Sequence, residues 1–167
     1  MHGIGNYHDA QTILQWVRES GEGEYGRPSC VEDEEAPLGW EYIGKGSARS
    51  VWRSPEGVAY KVAHAAEQAY QNGNEVEYLK DAWRKKAPKG CRLPRFSGFD
   101  VNDEVIVAME SINGHRLYDY VYELGNDRGD YYDRMIRCEM RFGLIDLHDE
   151  NVMIDAGGIL VPVDFGL

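Results

Sequence analysis

The order of periodicities along the chain predicts an α+β fold. Short strands come first, then a helix, then two strands, then helices and a closing hairpin. No alternating strand–helix run suggests a doubly wound sheet, and no segment repeats another. The 167 residues, 43% of them hydrophobic, suffice for one globular domain or for two small lobes sharing a cleft.

Residues 9–20, DAQTILQWVRES, read as a helix with Asp9 as N-cap and Ile13, Leu14 and Val17 on one face. GEGEYGRPSCVEDEEAPLG is rich in Gly, Pro and acids and reads as a linker, with Glu32-Asp33-Glu34-Glu35 solvated. WEYIGKG and SVWRS are short strands around a glycine turn. GVAYKVAH is a strand after the turn Pro55-Glu56-Gly57. AEQAYQNGNEVEYLKDAWRKK turns helical in its second part, with Val76, Leu79 and Trp83 at helical spacing. RLPRFSGFDVNDEVIVAMES holds two strands joined through Val101-Asn102-Asp103. YDRMIRCEMRF is a helix, and VMIDAGGILVPVDF is a hairpin with Ala156-Gly157-Gly158 at its tip.

Eighteen Lys and Arg stand against 29 Asp and Glu, a net charge of −11. Such a field repels nucleic acid and anionic lipid at long range, although a local positive pocket can still hold phosphates. Cys30, Cys91 and Cys138 are odd in number and widely spaced, neither a disulfide framework nor a zinc pattern. A reducing cytoplasm follows as the expected location. The N-terminus has no basic region before an apolar core, and no apolar run approaches the ~20 residues that span a bilayer.

Several residues invite chemistry. In GKGSARSV, Gly44 and Gly46 let backbone approach a phosphate, although such turns also serve plain hairpins. Lys61 ends VAYK in the middle of an apolar strand. Its ammonium either snorkels outward or meets an anion. Glu75 lies one turn before Leu79 on the same helical face, so it can turn to the sheet and pair with Lys61, while Glu77 points elsewhere. In DLHDEN, Asp146 suits the proton of an attacking hydroxyl. Asn151 and, across the hairpin, Asp164 offer hard oxygens to magnesium. His148 reads as a loop-stabilising residue rather than a metal ligand.

Together these stretches resemble the protein kinase-like superfamily: Gly44-x-Gly46 with Val51, Val58-Ala59-Tyr60-Lys61, Glu75, Asp146 to Asn151, and Asp164-Phe165-Gly166, in that order. Any one is weak; five in order are strong. The resemblance covers residues 40–167. It implies an antiparallel-sheet N-lobe with one helix over 40–112 and a much reduced helical C-lobe over 113–167. Residues 1–39, a helix and an acidic linker, fall outside it. It further implies ATP and magnesium as ligands. Lys61 would contact the α- and β-phosphates and be held by Glu75. Asp146 would be the catalytic base, and Asn151 and Asp164 would hold the metal. Val51 and Ala59 would sandwich the adenine, Met109 would be the gatekeeper, and the backbone of Glu110 and Ile112 would bond the adenine edge.

Departures from the family pattern bear on function. Arg49 stands where the third glycine belongs and brings a bulky cation to the phosphates, either to help bind them or to block the site. Leu144-Ile145 replaces the His-Arg before the catalytic Asp. DLHDEN resembles aminoglycoside and choline phosphotransferases and the short kinases of tailed bacteriophages, the last closest in size and implying a host cytoplasm. One residue, Leu167, follows the D-F-G, so a minimal Ser/Thr protein kinase is expected to use a protein partner, or a second copy, to cover its lower face. The competing expectation is a pseudokinase-like module that binds and inhibits or redirects a cellular protein. A small-molecule kinase is the weaker third.

Two more stretches carry expectations. Residues 80–95 hold seven basic residues and one acid, and read as a solvated helix end that could also dock an acidic partner or the acidic linker. In YDYVYELGNDRGDYYDR, Tyr118, Tyr122 and Tyr131 are expected to pack as core.

Overall fold

The computed structural model describes residues 3–20, 36–144 and 147–164. It divides into two compact units, Met1–Glu77 with Arg95–Ser111, and Tyr78–Pro94 with Ile112–Leu167. The α+β class holds, with helices accompanying antiparallel sheets.

In the first unit, β1 (Glu41–Lys45), β2 (Arg49–Arg53), β3 (Val58–Ala63), β4 (Phe96–Val101) and β5 (Glu104–Glu110) form one antiparallel sheet in the order β1-β2-β3-β5-β4. β4 and β5 meet in a turn whose Asn102 and Asp103 both have positive φ, 50° and 64°. Asn and Asp tolerate that region better than other side chains.

Helix α1 (Tyr7–Ser20) buries Ala10, Ile13, Leu14 and Val17 in one cluster with Trp52, Tyr60, Val62, Ile106 and Ala108 of the sheet. A helix with one apolar stripe must cover it, and here the sheet does. Helix α1, outside the stretch that carries the family resemblance, thus belongs to this core. Its cap also differs from expectation. Asn6, not Asp9, caps the helix. The Asp9 N–H donates to Asn6 Oδ1 at 2.8 Å and Asn6 Nδ2 donates to Asp9 Oδ2 at 3.0 Å. Asn and Asp cap equally well, so sequence alone could not choose between them. At the other end Arg18 donates through Nε to Glu104 Oε1 at 2.9 Å and through Nη1 to the Ala63 carbonyl at 2.9 Å.

The opposite face of the sheet meets helix α2 (Tyr70–Ala82) at Gly98. A Cβ there would lie 2.9 Å from Val76 Cγ2, so the glycine admits the helix.

The second unit carries β6 (Gly114–Arg116), β7 (Val152–Asp155) and β8 (Leu160–Pro162), an antiparallel sheet in that order. At three residues β6 is too short to show alternation in the sequence. A Cβ on Gly114 would fall on the Ile154 carbonyl oxygen, so glycine is what lets β6 pair with β7. Helix α3 (Tyr131–Phe142) ends at Gly143, whose φ of 71° lets its N–H reach the Glu139 carbonyl at 2.8 Å. Leu117, Phe142, Leu144, Ile154, Leu160 and Val161 are buried.

Tyr118 and Tyr122 are exposed, contrary to their expected place in the core. Tyr118 precedes a π-helical turn at Asp119–Glu123 and Tyr122 lies within it, and the two pack on each other, ring centroids 4.9 Å apart. Tyr131 is half-buried, edge-on to Tyr120. Among the described residues no helix is long and apolar enough to cross a membrane.

Candidate functional site

The sheet register gathers the candidate residues of the first unit. Val51 pairs with Lys61 and with Gly44, Lys61 with Val107, and Ala59 with Met109. Directly paired residues project to the same side of a sheet. Gly44, Val51, Ala59, Lys61 and Met109 therefore share one face, opposite the one α1 covers. α2 delivers Glu75 to that face.

Lys61 Nζ donates to Glu75 Oε1 at 2.6 Å, with both side chains buried. Arg49 binds the other carboxylate oxygen, Oε2, and reaches Asn72 Oδ1 at 3.3 Å. Asn72, fully buried one turn before Glu75, donates from Nδ2 to the Lys61 carbonyl at 3.0 Å and to the Val105 carbonyl at 2.7 Å. It thus ties α2 to β3 and β5 and fixes the height at which Glu75 meets Lys61. Sequence reading passed over Asn72. The signal was a polar residue three before Glu75 on the same helical face. Arg49, expected near the phosphates to help bind them or to block the site, places its guanidinium on Glu75.

Gly44 and Gly46 have open space where a Cβ would stand. The Gly46 N–H donates to the Arg49 carbonyl at 2.8 Å, closing the turn. The Gly46 carbonyl accepts from His64 Nε2 at 3.0 Å, so His64 braces the turn from the end of β3. Glu110 closes β5, its N–H donating to the Arg95 carbonyl at 3.0 Å while its carboxylate accepts from Arg95 Nε at 2.9 Å.

In the second unit Asn151 closes a reciprocal turn. The His148 N–H donates to Asn151 Oδ1 at 3.0 Å, and the Asn151 N–H donates to the His148 carbonyl at 3.1 Å. The turn uses the His148 main chain; its side chain is exposed. Val152 pairs with Pro162, and one step further the Val163 N–H donates to the Asn151 carbonyl at 3.0 Å. Asn151 and Asp164 are thereby brought to the same end of the β7–β8 pair, Asp164 exposed.

Asp149 anchors the loop twice. Its carbonyl accepts from the Tyr118 N–H at 3.0 Å, and its carboxylate accepts from the Tyr132 hydroxyl at 2.6 Å. Burial, and then that carboxylate bond, push the Tyr132 phenol well above its ordinary range.

Asp146, Phe165 and Gly166, like Cys30 and the acidic run 32–35, lie outside the described residues. Ile112 belongs to the second unit, so the expected pair Glu110 and Ile112 is divided between the two. Among the described residues no three His, Cys, Asp or Glu side chains gather into a metal cluster. The donor set at Asn151 and Asp164, an amide oxygen and a carboxylate, does fit a hard divalent ion.

Cys91 and Cys138, far apart in sequence, are both buried and carry free thiols. Their mutual hydrogen bond, followed by nearby Arg137 and Arg134, draws the Cys91 thiol below its usual range. No protein-family model and no curated protein matches the chain.

Proposed function

We propose that the chain is an ATP- and magnesium-dependent phosphotransferase of the protein kinase-like kind, acting on a Ser or Thr hydroxyl of a protein partner. The observation that carries this reading is the buried Lys61–Glu75 pair, set on the sheet face that also carries Gly44, Val51, Ala59 and Met109. A buried lysine is costly to keep in a core that apolar residues could fill. Holding phosphates gives it a use.

In this reading Lys61 binds the α- and β-phosphates, and Glu75 and Asn72 fix its position. Val51, Ala59 and Met109 form the adenine wall. Asn151 and Asp164 would hold magnesium, which when bound neutralises charge on the β- and γ-phosphates. Asp146 accepts the proton of the acceptor hydroxyl as its oxygen bonds to the γ-phosphorus, and ADP leaves with the electrons of the broken P–O bond.

Transfer of labelled phosphate from Mg-ATP to protein in a cell lysate tests this. Wild type should label a protein, and Asp146→Ala and Asp164→Ala should not. Equal labelling by all three would sink the reading.

One observation favours a second reading. Arg49 shares Glu75 with Lys61 and occupies the strand that follows the glycine turn. A module that binds a cellular protein without transferring phosphate would tolerate a cation there. In that case the partner is captured equally by wild type and by Asp164→Ala, and Mg-ATP does not raise the melting temperature.

A further inference from the structure

The strongest feature outside the candidate site is a cationic groove in the second unit. Residues 80–94 and α3 together hold nine Lys and Arg against three Asp and Glu, in a chain whose net charge is −11. Folding brings the two stretches side by side. Lys86, Pro88, Arg137, Met140 and Arg141 line one groove, and Arg137 also borders the adjoining cleft with Lys89 and Arg134.

Two of these cations, Arg141 and Arg134, are anchored by the fold. Arg141 Nε donates to the Lys86 carbonyl at 2.9 Å. Arg134 pairs with Asp130 at 2.7 Å, donates to the Gly158 carbonyl at 3.1 Å and lies over the Tyr131 ring. Along α3, Arg137 and Arg141 are one turn apart and make a cationic row. Ile136 and Met140, also one turn apart, make an apolar row beside it, 49% and 79% exposed. Large apolar side chains so exposed beside a cationic row form a two-part surface.

We propose that this groove docks an acidic peptide segment of a partner protein, one that sets an apolar side chain beside its carboxylates. The carboxylates meet Lys86, Arg137 and Arg141, and the apolar residue covers Met140 and Ile136. Charge complementarity selects the acid, and the apolar row selects a peptide over a nucleic acid. The strongly negative remainder of the chain also repels a long polyanion. This docking requires nothing of Lys61 or Glu75.

Fluorescence anisotropy of the full chain tests it, with a short labelled peptide of alternating Glu and Leu as probe. A Gln/Leu peptide, an all-Glu/Gly peptide and a single-stranded oligonucleotide are the comparisons. The Glu/Leu peptide should bind most tightly and weaken with added salt. Arg137→Glu with Arg141→Glu should weaken it by about tenfold or more, because attraction becomes like-charge repulsion. Arg137→Gln with Arg141→Gln should weaken it less, and Met140→Ser should weaken the Glu/Leu peptide but not the all-Glu/Gly one. These side chains are exposed, and an unchanged melting temperature checks that each variant folds. No binding of the Glu/Leu peptide, binding indifferent to the Arg137/Arg141 variants, or tighter binding of the oligonucleotide would each overturn the proposal.

Discussion

Glu75 lies between two cations: Lys61 Nζ holds Oε1 at 2.6 Å, and Arg49 holds Oε2. The carboxylate is fully buried, so its charge depends on these donors. The pairing makes the two sides of the cluster unequal.

Glu75→Leu takes the one buried carboxylate from between both cations in a low-dielectric setting. It should cost about 3 kcal/mol or more. Lys61→Met leaves Glu75 with Arg49 and replaces a buried ammonium by an apolar chain of similar length, so it should cost clearly less. Urea unfolding of the two variants checks the order. If Lys61→Met is the more damaging, Arg49 does not support the carboxylate.

The Lys61–Glu75 pair was legible because each position was constrained locally. A lysine in an apolar strand must either snorkel outward or meet an anion, and a glutamate one turn before Leu79 could turn inward to supply it. Arg49's true partner was not legible, since a residue after a glycine turn can reach several neighbours and only the β2–β3 register chooses among them. The apolar face of α1 could be read from helical period, but its surface could not, because period says that a face is buried and not by what. Tyr118 and Tyr122 were not legible as surface residues, because an aromatic ring satisfied by its exposed neighbour looks in sequence like one bound for the core. Strand β6 and the meeting of Cys91 with Cys138 depend on long-range pairing that leaves no local trace.

Gly44 and Gly114 make a contrast in what a methyl group does. Open space surrounds the Cβ position of Gly44, whereas that of Gly114 is filled by the Ile154 carbonyl oxygen. Gly44→Ala should therefore melt close to the parent, within about 0.5 kcal/mol. Gly114→Ala should break the β6–β7 pairing and cost several times that. If Lys61 holds phosphates, Gly44→Ala should also reduce the rise in melting temperature given by Mg-ATP. Melting curves with and without the nucleotide separate the two effects. A Gly114→Ala protein as stable as the parent would contradict the register.

Alkaline pH should destabilise the fold in a defined window. Burial pushes the Tyr60 phenol up to about 12, and burial does the same to Tyr78. An unfolded tyrosine ionises near ~10. Below that value both states are protonated and the stability is intact. Above it the unfolded chain loses protons that the folded chain keeps, so stability falls until the folded phenols ionise near about 12. Tyr60→Phe should shallow the fall by one group's share, although it also removes the bond that the Asn6 N–H makes to the hydroxyl at 3.1 Å. Urea midpoints across this range measure the slope. A flat profile would mean that these phenols are not protected.

Helix α1 should be part of the stability of the first unit rather than an appendage. Leu14 is 2% exposed, in one cluster with Trp52, Tyr60 and Ile106. Leu14→Ala removes apolar contact and leaves a cavity, a loss of about 2–5 kcal/mol. Gln15, the next residue, faces solvent and only donates to Glu19 at 2.8 Å, so Gln15→Ala should change little. Arg18→Ala should fall between them. It gives up the pairing with Glu104 and the bond to the Ala63 carbonyl, leaving Glu104 buried without that partner. The expected order of urea midpoints is Gln15→Ala, then Arg18→Ala, then Leu14→Ala. Leu14→Ala and Gln15→Ala unfolding at the same urea concentration would remove α1 from the core.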